Sequence, residues 1–242
     1  MRADRIGRTG AALLAAWLMA PVAALAQAAM PGDASAARAA REAARRRIEI
    51  ARLPTLRASA EASGGEYVSS MESVCRWGEA TMLEDLVSHS AVVIVGVVLQ
   101  RQAVLSPDGR TISTVHAVEV AESIKGALTR GAVIMVTTPG GRLEFDGGLA
   151  AEIEVPWGGP IDATLPHLFF LRPTGTESWR HPLEHQGFAP ALHPQGVFRF
   201  GSHGVESTAG PTDPLRRYVD GVLAPVFLAS VRAAAAADGG RR

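Results

Sequence analysis

Between residues 91 and 200 the apolar positions come in short blocks separated by glycine, proline and small polar residues, a pattern of strands and turns. Ala91 to Leu99 is a β-branched run interrupted by Gly96, which predicts a strand buried on both faces or kinked at a glycine bulge. Ser106-Pro107-Asp108-Gly109 predicts a turn, because proline presets the first turn dihedral and glycine accepts a positive φ. From Thr111 to Val120 the chain alternates, placing Ile112, Thr114, His116, Val118 and Val120 on one face of a strand that completes a long hairpin. Ala132 to Thr138 reads as a third strand, closed by Pro139-Gly140-Gly141. Leu149 to Val155 and the strongly apolar His167 to Leu171 follow, with Trp179 to His181 and Val197 to Phe200 as the last pieces. About six short strands spaced about 10 to 20 residues apart, with no room for helices between them, predict a mainly β fold in the form of a small closed or partly closed barrel.

Helical spacing appears on either side of these blocks. Met71, Val74 and Cys75, then Met82, Leu83, Leu86 and Val87, predict one or two short helices between Tyr67 and Ser90, the second leading directly into a strand. Near the end, Asp213 is a cap and Pro214 takes the first helical position. Leu215, Val219, Val222 and Val226 supply an apolar stripe, and Pro225 should kink or divide the helix. Arg216, Arg217, Asp220 and Arg232 argue against its crossing a membrane. Residues 27 to 65 are rich in Ala and Arg, with a helix expected from a cap at Asp33 or Ser35 to about Arg52 and stopped by Pro54. That arm reads either as a solvated, partly disordered helix or as a basic handle for an anionic surface.

The first residues change where this fold is expected to work. Arg2, Arg5 and Arg8, the apolar run Ala11 to Ala24, and the small residues Ala24-Leu25-Ala26 make the three-part pattern of a secretory signal peptide, with cleavage between Ala26 and Gln27. The expected division is then 1–26 signal peptide, 27–65 arm, 66–205 barrel domain with a leading helix, and 206–242 C-terminal helical segment. The expected setting is a bacterial periplasm or the exterior, with no integral span after cleavage.

Charge and cysteine content narrow the chemistry. The 242 residues carry 24 basic and 24 acidic side chains, so no overall field steers the chain toward nucleic acid. Lys125 is the only lysine, and Cys75, the only cysteine, cannot form an internal disulfide. No Gly-x-Ser-x-Gly, phosphate-binding loop, dinucleotide fingerprint or His-Glu-x-x-His occurs, so no catalytic residue and no cofactor is assigned. His181, Glu184, His185 and His193, with His203 beyond, form the densest constellation; they read either as zinc ligands or as polar loop residues. Pro182 and Gly187 oppose the helix that would bring His181 and His185 together. His116, on an otherwise apolar face, reads as a partly buried residue with a satisfied hydrogen bond rather than as a ligand. Glu119 with Glu122, and Glu152 with Glu154, read as solvated strand positions.

Several blocks together resemble a family. Ser90-Ala91-Val92-Val93-Ile94-Val95-Gly96, Val118 to Gly126 ending in Ile124-Lys125-Gly126, Thr138-Pro139-Gly140-Gly141 and Leu168-Phe169-Phe170-Leu171 resemble the netrin-like or TIMP-like OB barrel of exported bacterial proteins. The resemblance spans about Leu83 to Phe200 and implies a small OB-like barrel with helical extensions at both ends. The family's inhibitors present a cysteine at the mature N-terminus, whereas this chain would begin at Gln27, so no functional residue is transferred. The leading expectation is a non-enzymatic binding or structural module for a protein or envelope ligand, bound near Gly140 to Gly148 and the loop Pro182 to Gly196. The alternative is an exported hydrolase, metal-assisted through His181, His185 and His193.

Overall fold

The computed structural model describes residues 54–70, 80–155, 161, 163–174, 187–192, 195–209 and 213–240. The expected leader with its expected Ala26–Gln27 cleavage site, the Ala/Arg-rich stretch to Leu53, Met71 to Glu79 with Cys75, and Trp179 to His181 lie outside the described residues.

The fold is mainly β, and among the described residues ten strands form two sheets. Helix α1 (Leu56–Ala62) precedes β1 (Glu66–Ser70), and α2 (Leu83–His89) leads into the long hairpin of β2 (Val92–Leu105) and β3 (Ile112–Lys125). Then come β4 (Val133–Pro139), β5 (Gly141–Phe145), β6 (Leu149–Glu154), β7 (Pro166–Pro173), β8 (Gly187–Pro190), β9 (Val197–Gly201) and β10 (Gly204–Ser207). The last elements are α3 (Arg216–Val219) and α4 (Ala224–Gly239).

The hairpin turn follows from its residues. Gly109 N donates to Ser106 O at 2.8 Å, Gly109 has φ +70°, and Ser106 Oγ accepts from Thr111 N at 2.9 Å. Leu56 N donates to Gly109 O at 2.8 Å, so the start of α1 is hung on the same turn. Met82, Leu83, Leu86 and Val87 do form a helix end, with Leu86 and Val87 fully buried. Residues Tyr67 to Ser70, expected as helical, are instead part of β1, which pairs parallel with β6 and is one edge of the small sheet β1-β6-β5. At the other end of the chain Asp213 Oδ1 accepts from Leu215 N at 3.0 Å, but it is not the cap that was expected: α3 begins at Arg216 with Leu215 at its cap position, and Asp213 holds the turn that leads into the helix. The helix expected after it is divided at Asp220 to Leu223, and Pro225 sits in the first turn of α4, where its missing N–H goes unnoticed.

In the larger sheet β2, β3 and β4 form an antiparallel meander, β4 pairs parallel with β8, β8 pairs antiparallel with β7, and β7 pairs antiparallel with β2. The hydrogen-bonded order of these five strands therefore returns to its start, while β9 and β10 extend from β7. The sequence pattern counts about six strands; β8, only four residues long, stands where no strand was expected.

Three apolar clusters follow from this topology. Ile94, Val118, Val120, Ile134, Val136, Phe169, Leu171 and Phe188 gather on the inner side of the ring. Val93, Leu168, Phe170 and Phe198 point the other way, against Leu86 and Val87 of α2 and Phe227 and Val231 of α4. The far half of the hairpin shares a smaller cluster, Leu56, Ile112, Ala151 and Ile153, with α1 and the small sheet. Gln195 ties the loop before β9 to both ends of this arrangement: its amide exchanges bonds with Ala80 N and O (2.7 and 3.0 Å) and donates to Asp213 Oδ1 at 2.6 Å.

Gly96 is the kink that the sequence predicts, with the β2–β3 register shifting between Val95 and Gly96. A Cβ there would stand 2.5 Å from Val118 Cγ1 and 3.0 Å from Glu119 O. Gly96→Ala should lower stability by about 1–3 kcal/mol through overpacking, read as a fall in thermal midpoint. Val118→Ala in the same chain should return part of the loss, and an unchanged midpoint in Gly96→Ala would contradict the close packing.

Candidate functional site

Two features of the ring could meet another molecule, and both are set by the β2–β3–β4 register. On the outside, Val97, Glu119 and Val133 form one cross-strand row, and Gln100, Ala117 and Met135 a second, which continues to Gly187 of β8. Gln102, Val115 and Thr137 form a third. These positions alternate with buried Val98, His116, Val118, Ile134 and Val136, and they are half-buried or exposed. Leu99, unpaired at the bulge between Val98 and Gln100, is 55% exposed, and Val133 is 51% exposed. Glu119 is the one charge among the three rows. The surface is thus neutral at its centre, apolar in its middle strand, and edged by the amides of Gln100 and Gln102 and the Thr137 hydroxyl.

On the inner side of the same strands the apolar ring core stops at a polar layer. Arg101 stands opposite His116, His116 opposite Val136, and Thr114 opposite Thr138. His116 is 4% exposed, and its Nε2 lies 3.0 Å from Thr138 Oγ1. The Thr138 hydroxyl also lies 3.5 Å from Thr114 O, and with that oxygen as its acceptor we assign His116 the Nε2–H tautomer. Among the described residues buried Nδ1 has no hydrogen-bond partner. Burial first, then the Arg101 charge and then His167, hold the His116 imidazole well below its usual range, from 6.5 down to about 4. His167 heads β7 opposite Gly96, is fully buried, and lies 5.7 Å, ring to ring, from Phe169.

Neutral at ordinary pH, His116 can donate through Nε2 and accept through Nδ1; the hydroxyl hydrogen-bonded to it, Thr138 Oγ1, faces the donor Nε2–H in the assigned tautomer and so meets no base there. The expectation of a partly buried, hydrogen-bonded His116 is met at Nε2 alone. His181, Glu184, His185 and His193 lie outside the described residues, as do Ala26 and Gln27 of the expected cleavage site. His203 is exposed in the turn between β9 and β10. Among the described residues no group of three or more His, Cys, Asp or Glu side chains is placed to hold a metal ion, and no helix is long and apolar enough to cross a membrane. The carboxylates expected as solvated are partly engaged. Glu122 is clasped by Arg232 of α4, with three N···O distances of 2.8 to 3.0 Å, and Glu152 shares Arg142 with Glu66. Of Gly140 to Gly148, expected beside the ligand, Gly140 links β4 to β5 and the rest belong to β5 and its turn into β6 in the small sheet. Arg101 and Gln195 were not singled out by the sequence.

No protein-family model matches the chain, and no curated protein matches it.

Proposed function

We propose that this chain is an exported, non-enzymatic binding module on an OB-type barrel of the netrin-like or TIMP-like kind, and that it takes a protein partner on the outer face of β2, β3 and β4. The observation that carries this reading is the ring of pairings. Three consecutive hairpin-connected strands with the next long strand, β7, returning beside the first is Greek-key order. Short β8 then completes a five-stranded circuit. OB-type barrels bind on the face of their second and third strands, which here are β3 and β4, the strands that carry most of the three rows.

The chemistry of that face selects the partner class. Phosphate backbones need cations, and the three rows hold none. Sugars and bases favour aromatic platforms, and no aromatic side chain stands in the rows. Val115, Ala117, Val133 and Met135 with two flanking glutamines suit a neutral protein surface, since methionine and aliphatic side chains repack against varied partners. Export rests on the three-part leader ending at Ala26, and it places the partner in the periplasm or outside the cell.

A photo-crosslinking side chain at Met135, introduced in the cells that make the chain, should give one discrete protein adduct. The same group at Glu144 on β5 should give none, and Ala117→Arg should abolish the Met135 adduct. Equal labelling from both sites, or turnover by the purified chain in a broad hydrolase screen, would overturn the reading.

A further inference from the structure

The strands of the larger sheet carry three carboxylates, Glu119 and Glu122 on β3 and Glu206 on β10. Glu122 is clasped by Arg232, and Glu206 is paired with Arg199. Exposed Glu119 has no ion pair among the described residues. Its surroundings are aliphatic. Val97 and Val133 stand directly opposite it on β2 and β4, where cross-strand Cβ atoms lie about 5 Å apart. Ala117 follows two residues away on the same face of β3.

A partner that covers Val97, Ala117 and Val133 must therefore also take water from the Glu119 carboxylate. With nothing to replace that water, the lost solvation works against the apolar gain. Arginine and lysine meet both demands, since their stems pack on apolar surface while their heads reach a carboxylate. Ala117, between Gln100 and Met135 in its row, ends at Cβ and leaves space for such a stem. We propose that Glu119 is the specificity-determining residue of the β2–β3–β4 face, and that the partner brings to it one arginine or lysine set in an otherwise neutral, aliphatic surface. The inference rests on the reading of this face as a docking surface and adds the one charge that the partner must supply. Glu119 selects by exclusion as well as attraction: a wholly neutral surface leaves the covered carboxylate unpaired, and an acidic one meets like charge.

Selection of random short peptides displayed on phage against the immobilised full-length chain tests the assignment. Wild type should enrich peptides with an arginine or lysine among aliphatic residues, and Ala117→Arg should abolish their binding. Glu119→Gln should weaken them about 5-fold and remove most of their salt dependence. Glu119→Lys should weaken them roughly 10-fold or more and, used as bait itself, should enrich an acidic residue in place of the basic one. Should Ala117→Arg unfold the chain, Gln100→Arg takes its place, at an exposed position in the same row. Peptides that lack a cation, or that bind Glu119→Lys as tightly as wild type, while remaining sensitive to Ala117→Arg, overturn the role of Glu119 and leave the docking face standing. If no enriched peptide is sensitive to arginine at either position, the docking face and the inference fall together.

Discussion

Phe169→Ala and Phe170→Ala, made one at a time, will each lower unfolding free energy by about 3–5 kcal/mol, although neighbours in a strand point to opposite faces. Phe169 is fully buried on the inner side of the ring with Ile94, Val118 and Leu171. Phe170 is equally buried on the other side, edge-on to Phe198 at 5.6 Å, and Phe198 in turn lies 5.3 Å from Phe227 of α4. A sheet with one wet face would make one of the two replacements nearly neutral. Here both faces of β7 are dry, because the ring closes over one and α2 and α4 cover the other. Each replacement also loses a ring contact, Phe169 with His167 at 5.7 Å and Phe170 with Phe198 at 5.6 Å, about 0.5–1.5 kcal/mol beyond area, so the two losses should be similar in size. Urea titration is the measurement, with the midpoint falling and the slope held. A cheap loss at either position would mean that one face of β7 is open to water.

That two-sided burial was legible in the sequence, because Leu168-Phe169-Phe170-Leu171 offers no polar position for a wet face. The hairpin was legible for a similar reason: Pro107 and Gly109 allow one turn geometry, and the alternation after it names the buried face. The strands that were missed share a different cause. Gly187–Pro190 and Gly204–Ser207 are four residues long and Glu66–Ser70 and Gly141–Phe145 five, too short to show a clear period, and their place is decided by partners. The parallel pairing of β4 with β8, which turns a meander into a ring, joins segments about 50 residues apart.

The candidate site was half legible. His116 stood out as a polar side chain in an apolar row, and its burial followed. Arg101 did not, because counting alternately from buried Val98 places residue 101 on the outer face. The bulge at Leu99 inserts one residue and brings Arg101 back into phase with His116, and nothing in Leu99-Gln100-Arg101 announces it. The outer face was invisible for the same reason, since its rows exist only once the register of three strands is known.

Lys125→Met will cost about 2–4 kcal/mol, far more than its neighbouring surface clasp. The only lysine ends β3, and its Nζ lies 2.8 Å from Asp238 Oδ2 near the end of α4 and donates to Val87 O of α2 at 2.7 Å. The two side chains of the pair are 13% and 18% exposed. One compact ammonium thus joins two helices to the ring, and a charge at the carbonyl end of α2 is favourable in sign. Removing it takes the Lys125 charge away from Asp238 in a site mostly shut to water, and the weakened compensation of that carboxylate accounts for most of the loss. Lys125→Met with Asp238→Leu should therefore be more stable than Lys125→Met alone, a coupling that a double-mutant cycle isolates. Arg232→Ala is the contrast. It breaks a better-formed clasp on Glu122, but the partners are 49% and 40% exposed, so the loss should be about 0–1 kcal/mol. If Lys125→Met and Arg232→Ala shift the denaturation midpoint equally, burial is not what gives the Lys125 pair its weight. If the double variant is no better than the single, Asp238 is not the group that Lys125 compensates.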